Sequence, residues 1–208
     1  MRFQRDTEKI LVKWGLQHYR DYPWRYENSL YRIAVSEILL RRTGADMVKA
    51  VYSDLINKYP DPEALGNICP TDIKSLGLQK RIKILKDFSS TVITRYGGTI
   101  PHERSELINF YGFGDYTVSA IRVFGLHFRE PLIDANTVRI ISRVAGKHYS
   151  DSTRRQREIH MLYSEFNRHE DPVIFGYSIL DFGALICTPV PHCNICPLYN
   201  ICLYNEKP

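Results

Sequence analysis

The period of its apolar residues limits this chain's fold more than any other feature. They recur three and four apart in Ile10-Leu11-Trp14-Leu16, in Ile33-Val35-Ile38-Leu39 and in Val48-Val51-Tyr52-Leu55-Ile56. The same spacing returns in Ile82-Leu85-Phe88-Val92-Ile93, in Val118-Ile121-Val123 and in Val138-Ile141-Val144. Such spacing gathers side chains on one face of an α-helix. Ile174 to Ile186 is apolar on most sides and reads as a buried helix. The period of two that a half-buried strand needs is almost absent, since Thr99-Ile100 is too short to count. Turn residues punctuate the runs at Pro23, Gly44, Pro60 and Pro62, Pro70, Gly77, Gly97-Gly98, Gly112 and Gly114, and Pro131. Ser29, Asp61, Thr71, Ser105 and Asn136 stand where helix N-caps belong. The expectation is an all-α protein of about nine to eleven short helices joined by tight turns.

At 208 residues the chain fits one large domain or two small lobes. Its 44% apolar and 25% charged residues are ordinary for a globular protein and argue against disorder. A chain of this length buries roughly 70% of its unfolded surface, so it needs no disulfides to fold. The net charge of +5 permits an acidic partner without naming one. No run approaches the ~18 apolar residues of a membrane span, and the charged start MRFQRDTEK has no apolar signal region. A cytoplasmic monomer with no membrane partner is expected.

Four of the five cysteines, Cys187, Cys193, Cys196 and Cys202, follow one another as C-x5-C-x2-C-x5-C. A secreted disulfide scaffold would spread its cysteines and carry a signal peptide, so clustered thiolates point to a metal site. Either an iron–sulfur cluster or a four-cysteine zinc site suits four thiolates this close. Cys69, alone elsewhere, is expected to be a buried, inert small residue.

Leu107-Ile108-Asn109-Phe110-Tyr111-Gly112-Phe113-Gly114-Asp115-Tyr116-Thr117 sets two glycines between two short apolar helices. Glycine admits positive φ and close backbone approach, so such a turn can aim the next helix's N–H groups at a phosphate. An ordinary interhelical turn is the simpler alternative. Further along comes Leu132-Ile133-Asp134-Ala135-Asn136. By itself such an acid at a helix start is an N-cap or Asx turn. Hairpin and acid together are much rarer than either alone.

FYGFGDYT followed by LIDAN resembles the helix-hairpin-helix and Gly/Pro-loop-Asp motif of the endonuclease III superfamily of DNA glycosylases. The resemblance spans nearly the whole chain and includes Ser36-Glu37-Ile38-Leu39-Leu40-Arg41-Arg42-Thr43 and the cysteine cluster. The branches it resembles most are the G/T-mismatch thymine/uracil DNA glycosylases and, next, the adenine glycosylases. It implies two helical lobes: a six-helix barrel carrying the hairpin, residues 21–131, and a terminal domain of residues 1–20 and 132–208 with the cysteines. DNA is then expected to cross between the lobes, where Glu37, Tyr116 and Asp134 would converge.

Cleaving an N-glycosidic bond passes through a cationic sugar, and glycosidase chemistry asks for two carboxylates with separate roles. On the resemblance, Asp134 stabilises that cation and orients or deprotonates water. Glu37, inside the apolar helix Ile33–Leu40, bonds or protonates the flipped base; a surface position on that helix is the alternative. Tyr116 stands where bifunctional relatives keep a Schiff-base lysine, which implies a monofunctional enzyme with little or no strand-cleaving lyase activity. Asn136 would bond sugar, phosphate or water.

Arg41 and Arg42 stand where adenine enzymes usually carry glutamines, and resemble the G/T-mismatch branch. They would meet the widowed guanine, or else phosphates or bulk solvent. Leu78 is a weaker candidate for a wedge. Lys80 and Arg81, in a run of four cations and no acid, would hold phosphates, as would the backbone at Gly112 and Gly114; a solvated helix face is the usual explanation of such a run. For the cysteines the resemblance favours a [4Fe–4S] cluster over structural zinc, holding down the tail. The first gap, Thr188-Pro189-Val190-Pro191-His192, is one residue shorter than in relatives and lacks their Lys or Arg.

The expected partner is double-stranded DNA with a mismatched or damaged base, which in a prokaryote would place the protein at the nucleoid. The expected reaction is release of thymine or uracil mispaired with guanine. Adenine opposite guanine or 8-oxoguanine is the alternative substrate, although adenine enzymes usually carry a further C-terminal domain and this chain stops at Pro208. A non-catalytic helix-hairpin-helix DNA-binding iron–sulfur protein is a different class of reading, against which the two carboxylates argue.

Overall fold

The apolar runs become helices. In the computed structural model, which describes residues 6–76, 80–149 and 151–204, they lie in α1 (Thr7–Gln17), α2 (Leu30–Leu40), α3 (Ala45–Lys58), α5 (Lys80–Tyr96), α7 (Asp115–Leu126), α8 (Ala135–Ala145) and α10 (Pro172–Leu185). Shorter α4 (Pro62–Leu65) and α6 (Arg104–Leu107), together with α9 (Arg157–Phe166), complete the set. Four 3-10 turns, Pro23–Tyr26, Pro70–Leu76, Asp151–Arg155 and Cys193–Ile195, link them, and no strand occurs among the described residues. None of the described helices is long and apolar enough to cross a membrane. The chain divides into two units, Asp21–Leu126 and Met1–Arg20 with His127–Pro208. This division falls after Leu126, where α7 ends and His127 takes a positive φ of 58°.

In the central unit α2 is buried on nearly every side, and α3, α5 and α7 pack around it. Ser29 caps α2 through the Arg32 N–H, and Asp61 caps α4, accepting from the Ala64 N–H at 2.8 Å. Two expected caps are displaced. Thr71 lies within the Pro70–Leu76 turn, and Ser105 lies inside α6, whose cap position is Glu103. Phe113 stacks on both Phe88 and Phe110, which meet each other tilted, with centroids 5.3–5.8 Å apart. Each such ring, removed from water, stabilises the unit by about 1.5–3 kcal/mol.

Cys69 is exposed, contrary to expectation. The chain turns outward at Pro70, and the neighbouring Ile68 takes the core position at 1% exposure. Hydrogen bonds from Thr71 hold the Cys69 thiol below its ordinary pKa, its hydroxyl lying 3.0 Å from the sulfur.

In the terminal unit α1 lies directly on α10. A Cβ on Gly15 would sit 2.2 Å from Ser178 Oγ, so only glycine allows the approach. Asp181 on α10 is fully buried and accepts from Arg20 Nε at 2.5 Å and from the Arg20 backbone N–H at 3.2 Å. Removing one partner of a buried pair of this kind costs about 3–5 kcal/mol, because the other charge is stranded. α8 packs on α9 and α10, and Gly183 gives room for the Asn136 side chain, which lies 2.7 Å from where a Cβ would stand.

Candidate active site

Asp134 is the N-cap of α8. Its extended backbone lets Oδ1 accept from the Thr137 N–H at 2.7 Å, which satisfies one of the helix's unpaired first-turn donors. Asn136, expected as a cap, sits instead in the first turn of α8, because Asp134 is placed to reach the Thr137 N–H. The Asn136 amide donates to Asp134 Oδ2 at 3.1 Å. Both carboxylate oxygens are thereby oriented at the positive end of a helix dipole, with the side chain half-buried.

Asn136 also accepts, through Oδ1, from Arg139 Nη2 at 2.7 Å. Arg139 in turn donates to the carbonyls of Gly183, at 2.9 Å, and Cys187, at 2.7 Å. One turn later on α8, Arg143 donates to the Thr188 and Pro189 carbonyls at 2.6 and 2.8 Å and lies over the Tyr204 ring. Two arginines of the helix that Asp134 caps therefore hold the end of α10, Cys187 and the start of the first cysteine gap. Neither arginine drew notice in the sequence; their positions four apart on one helix face were the available signal.

Glu37 lies in the middle of α2 at 6% exposure, so the surface alternative is excluded. α2 ends at Leu40, and the next three residues are braced by two guanidinium groups. Arg41 Nη1 donates to the Gly112 carbonyl in the hairpin. Arg81 Nη2 donates to the Arg41 carbonyl and to the Thr43 hydroxyl. Arg42 between them is exposed and holds a left-handed φ of 54°.

Arg81 therefore departs from the expected phosphate-binding role: at 2% exposure it lies inside the unit, and burial pushes its guanidinium below the usual pKa. Lys80, Lys83 and Lys86 are the exposed cations of the run. Lys83, which the sequence did not single out, stands over the Tyr111 ring of the hairpin at 4.9 Å. Leu78 lies outside the described residues.

The first helix of the hairpin is the single turn α6. At Gly112 φ is +82°, and an added Cβ would crowd Arg41 Nη1 and Ile84 at 3.0 Å. Gly114 has open space around it and begins α7, its carbonyl accepting from the Val118 N–H. Asp115, in the first turn, is paired with Arg104 at 2.9 Å. Tyr116 follows, half-buried, in that same turn. Glu37 and Tyr116 thus belong to the central unit and Asp134 to the terminal one.

Cys187, Cys193, Cys196 and Cys202 line one small cavity of about 20 Å³, together with Phe182 and Leu198. Burial pushes the Cys187 thiol up and that of Cys196 up to about 11, so thiolates here call for a compensating cation. Among the described residues no three of these or other metal-ligating side chains are gathered to hold a single ion.

No protein-family model matches the chain. It is 33% identical over 207 residues to the thymine/uracil-DNA glycosylase of Methanothermobacter thermautotrophicus, covering 95% of this chain and 92% of that one. It is 34% identical over 196 residues to the thymine-DNA glycosylase of Aeropyrum pernix, covering 89% and 87%. The adenine DNA glycosylase of Mycobacterium tuberculosis is 28% identical, and the chain spans 66% of its length. Among solved structures, a thermostable thymine-DNA glycosylase superposes with a TM-score of 0.89 at 31% identity, over 97% of this chain and 95% of that one. Endonuclease III trapped on DNA shares the fold, with a TM-score of 0.81 at 20% identity. With near end-to-end coverage of relatives at a third identity, the chain belongs to the thymine/uracil-DNA glycosylase branch of the helix-hairpin-helix DNA glycosylases.

Proposed function

We propose that the protein is a monofunctional base-excision-repair glycosylase that hydrolyses the N-glycosidic bond of thymine or uracil mispaired with guanine in duplex DNA. The observation that carries this reading is the oriented Asp134 carboxylate, held by Thr137 and Asn136, in a chain a third identical to thymine/uracil-DNA glycosylases. As the bond from C1′ to the base breaks, Asp134 stabilises the positive charge on the sugar and accepts a proton from the incoming water. Glu37, buried in α2, bonds or protonates the departing base. Tyr116 carries no amine, so water and not the enzyme takes the sugar. Asn136 holds Asp134 in register, and the backbone at Gly112 and Gly114, with Lys80, meets DNA phosphates.

The four cysteines suit a [4Fe–4S] cluster. A single zinc ion would draw its four sulfurs to about 3.8 Å from one another, given Zn–S bonds of about 2.3 Å in a tetrahedron. Four thiols around one cavity can serve either metal site, and the resemblance of the cysteine spacing to the superfamily's pattern favours the cluster. Bound there, the cluster supplies a structural cross-link between the end of α10 and the tail. Iron and sulfide analysis, with absorbance near 400 nm, separates it from zinc.

Single-turnover assays on duplexes containing G:T, G:U, A:G and A:8-oxoguanine, developed with alkali, test the reaction. Release of thymine and uracil opposite guanine is expected. Cleavage confined to adenine-containing pairs would move the protein to the adenine branch, to which it is 28% identical. Cleavage of none would leave a non-catalytic DNA-binding protein.

A further inference from the structure

Arg81 is buried at 2% exposure, yet it stands in a run that reads as a solvated basic face. A buried cation needs acceptors, and it finds them in the Arg41 carbonyl and the Thr43 hydroxyl, on either side of Arg42. The Arg41 side chain is spent on the Gly112 carbonyl of the hairpin. Arg42 is exposed and carries a positive φ, which a residue other than glycine seldom adopts unless its surroundings impose it. The end of α2, the start of α5 and the hairpin therefore brace one backbone conformation from which Arg42 projects.

We propose that Arg81 is a positioning residue for recognition of the base opposite the lesion, acting through Arg42. This rests on the glycosylase reading above. An arginine can donate two parallel hydrogen bonds to guanine O6 and N7, whereas adenine presents a donor in place of one acceptor. Such discrimination requires the guanidinium to be held in place, and a left-handed backbone pinned on both sides by Arg81 holds it.

The test uses the full chain and duplexes carrying a non-cleavable tetrahydrofuran abasic analogue opposite guanine or adenine. Wild type is expected to prefer guanine by about tenfold, the scale of one good bidentate contact. Arg42→Ala should erase that preference, and Arg81→Met should erase most of it. The double variant should lose no more than Arg42→Ala alone, because both act through one contact. Thr43→Val, which removes only the hydroxyl that Arg81 reaches, should weaken the preference while melting like wild type, and stands in if Arg81→Met does not fold. Additive losses, or a preference unchanged in both Arg81→Met and Thr43→Val, would overturn the proposal. A wild type that cleaves G:T duplexes yet shows no preference for guanine would overturn it too and leave the glycosylase reading intact. A wild type that prefers guanine but cleaves nothing would remove the enzymatic reading and leave this one standing.

Discussion

Asp134 and Arg139 are joined by one side chain, Asn136, which donates to Asp134 Oδ2 at 3.1 Å and accepts from Arg139 Nη2 at 2.7 Å. Since Arg139 also holds the Cys187 carbonyl, the carboxylate and the first cysteine of the C-terminal motif share a continuous path of hydrogen bonds within one unit. Groups that orient a functional side chain typically contribute about 10–100-fold when removed. Asn136→Ala and Arg139→Met should each slow single-turnover base release by about tenfold or more. An unchanged rate in Arg139→Met would show that the path orients nothing.

Asp134 caps α8 and, on the proposed function, also serves the reaction. Asparagine caps a helix as well as aspartate does but would turn its Nδ2 toward the Asn136 amide donor, so Asp134→Asn should stay folded with a loss of about 1–2 kcal/mol. Without its charge, stabilisation of the cationic sugar is lost and the rate should fall by about 100–1,000-fold. Thermal melts beside single-turnover rates separate the two. A variant that unfolds, or one that keeps full rate, would contradict the division.

The two hairpin glycines differ in what they need. Gly112 combines a φ of +82° with crowding by Ile84 and Arg41, so Gly112→Ala should destabilise by about 1–2 kcal/mol. Gly114 has an ordinary φ and empty space beside it, so Gly114→Ala should stay within about 0.5 kcal/mol of wild type. Chemical denaturation of the two variants checks the contrast, and equal losses would refute it.

These contrasts also mark what could be read from the residues. Helical spacing carried the fold class, because a 3.6-residue apolar period has few other solutions, and the helix start at Asp134 was legible because an acid after two apolar residues and before a helix is a local pattern. Arg81 was not. Whether a cation in a basic run faces water depends on acceptors such as the Arg41 carbonyl, forty residues away, which no local pattern reveals. Asn136 misled as a cap because Asp134 and Asn136 can both cap, and only the distance to the Thr137 N–H decides between them. Cys69 misled because thiols are usually buried, and the outward turn at Pro70 overrides that tendency.

Acid should weaken the central unit through Asp72. It accepts from the Tyr59 hydroxyl at 2.6 Å and the Lys58 ammonium at 2.9 Å, and these hold its carboxyl below the ordinary 3.8. A folded pKa below the unfolded one means that the unfolded chain binds more protons across this range. The contribution is therefore present above about pH 4 and lost as pH falls through the folded value. Asp72→Asn should lower the melting temperature at neutral pH, and the two proteins should converge in acid. A gap that stays constant with pH would exclude this linkage.

On the proposed function, Tyr116 decides the fate of the sugar. A lysine at that place in the first turn of α7 could attack C1′ as an amine, displace the base and leave an imine, which borohydride reduces to a stable protein–DNA adduct. Tyrosine offers no nitrogen, so wild type should release base without forming an adduct. Tyr116→Lys should yield a borohydride-dependent band of protein joined to DNA on a denaturing gel. Tyr116→Phe, which also lacks the amine, should yield none. Trapping of wild type would refute the monofunctional assignment, and its absence together with trapping of Tyr116→Lys would place residue 116 within reach of C1′.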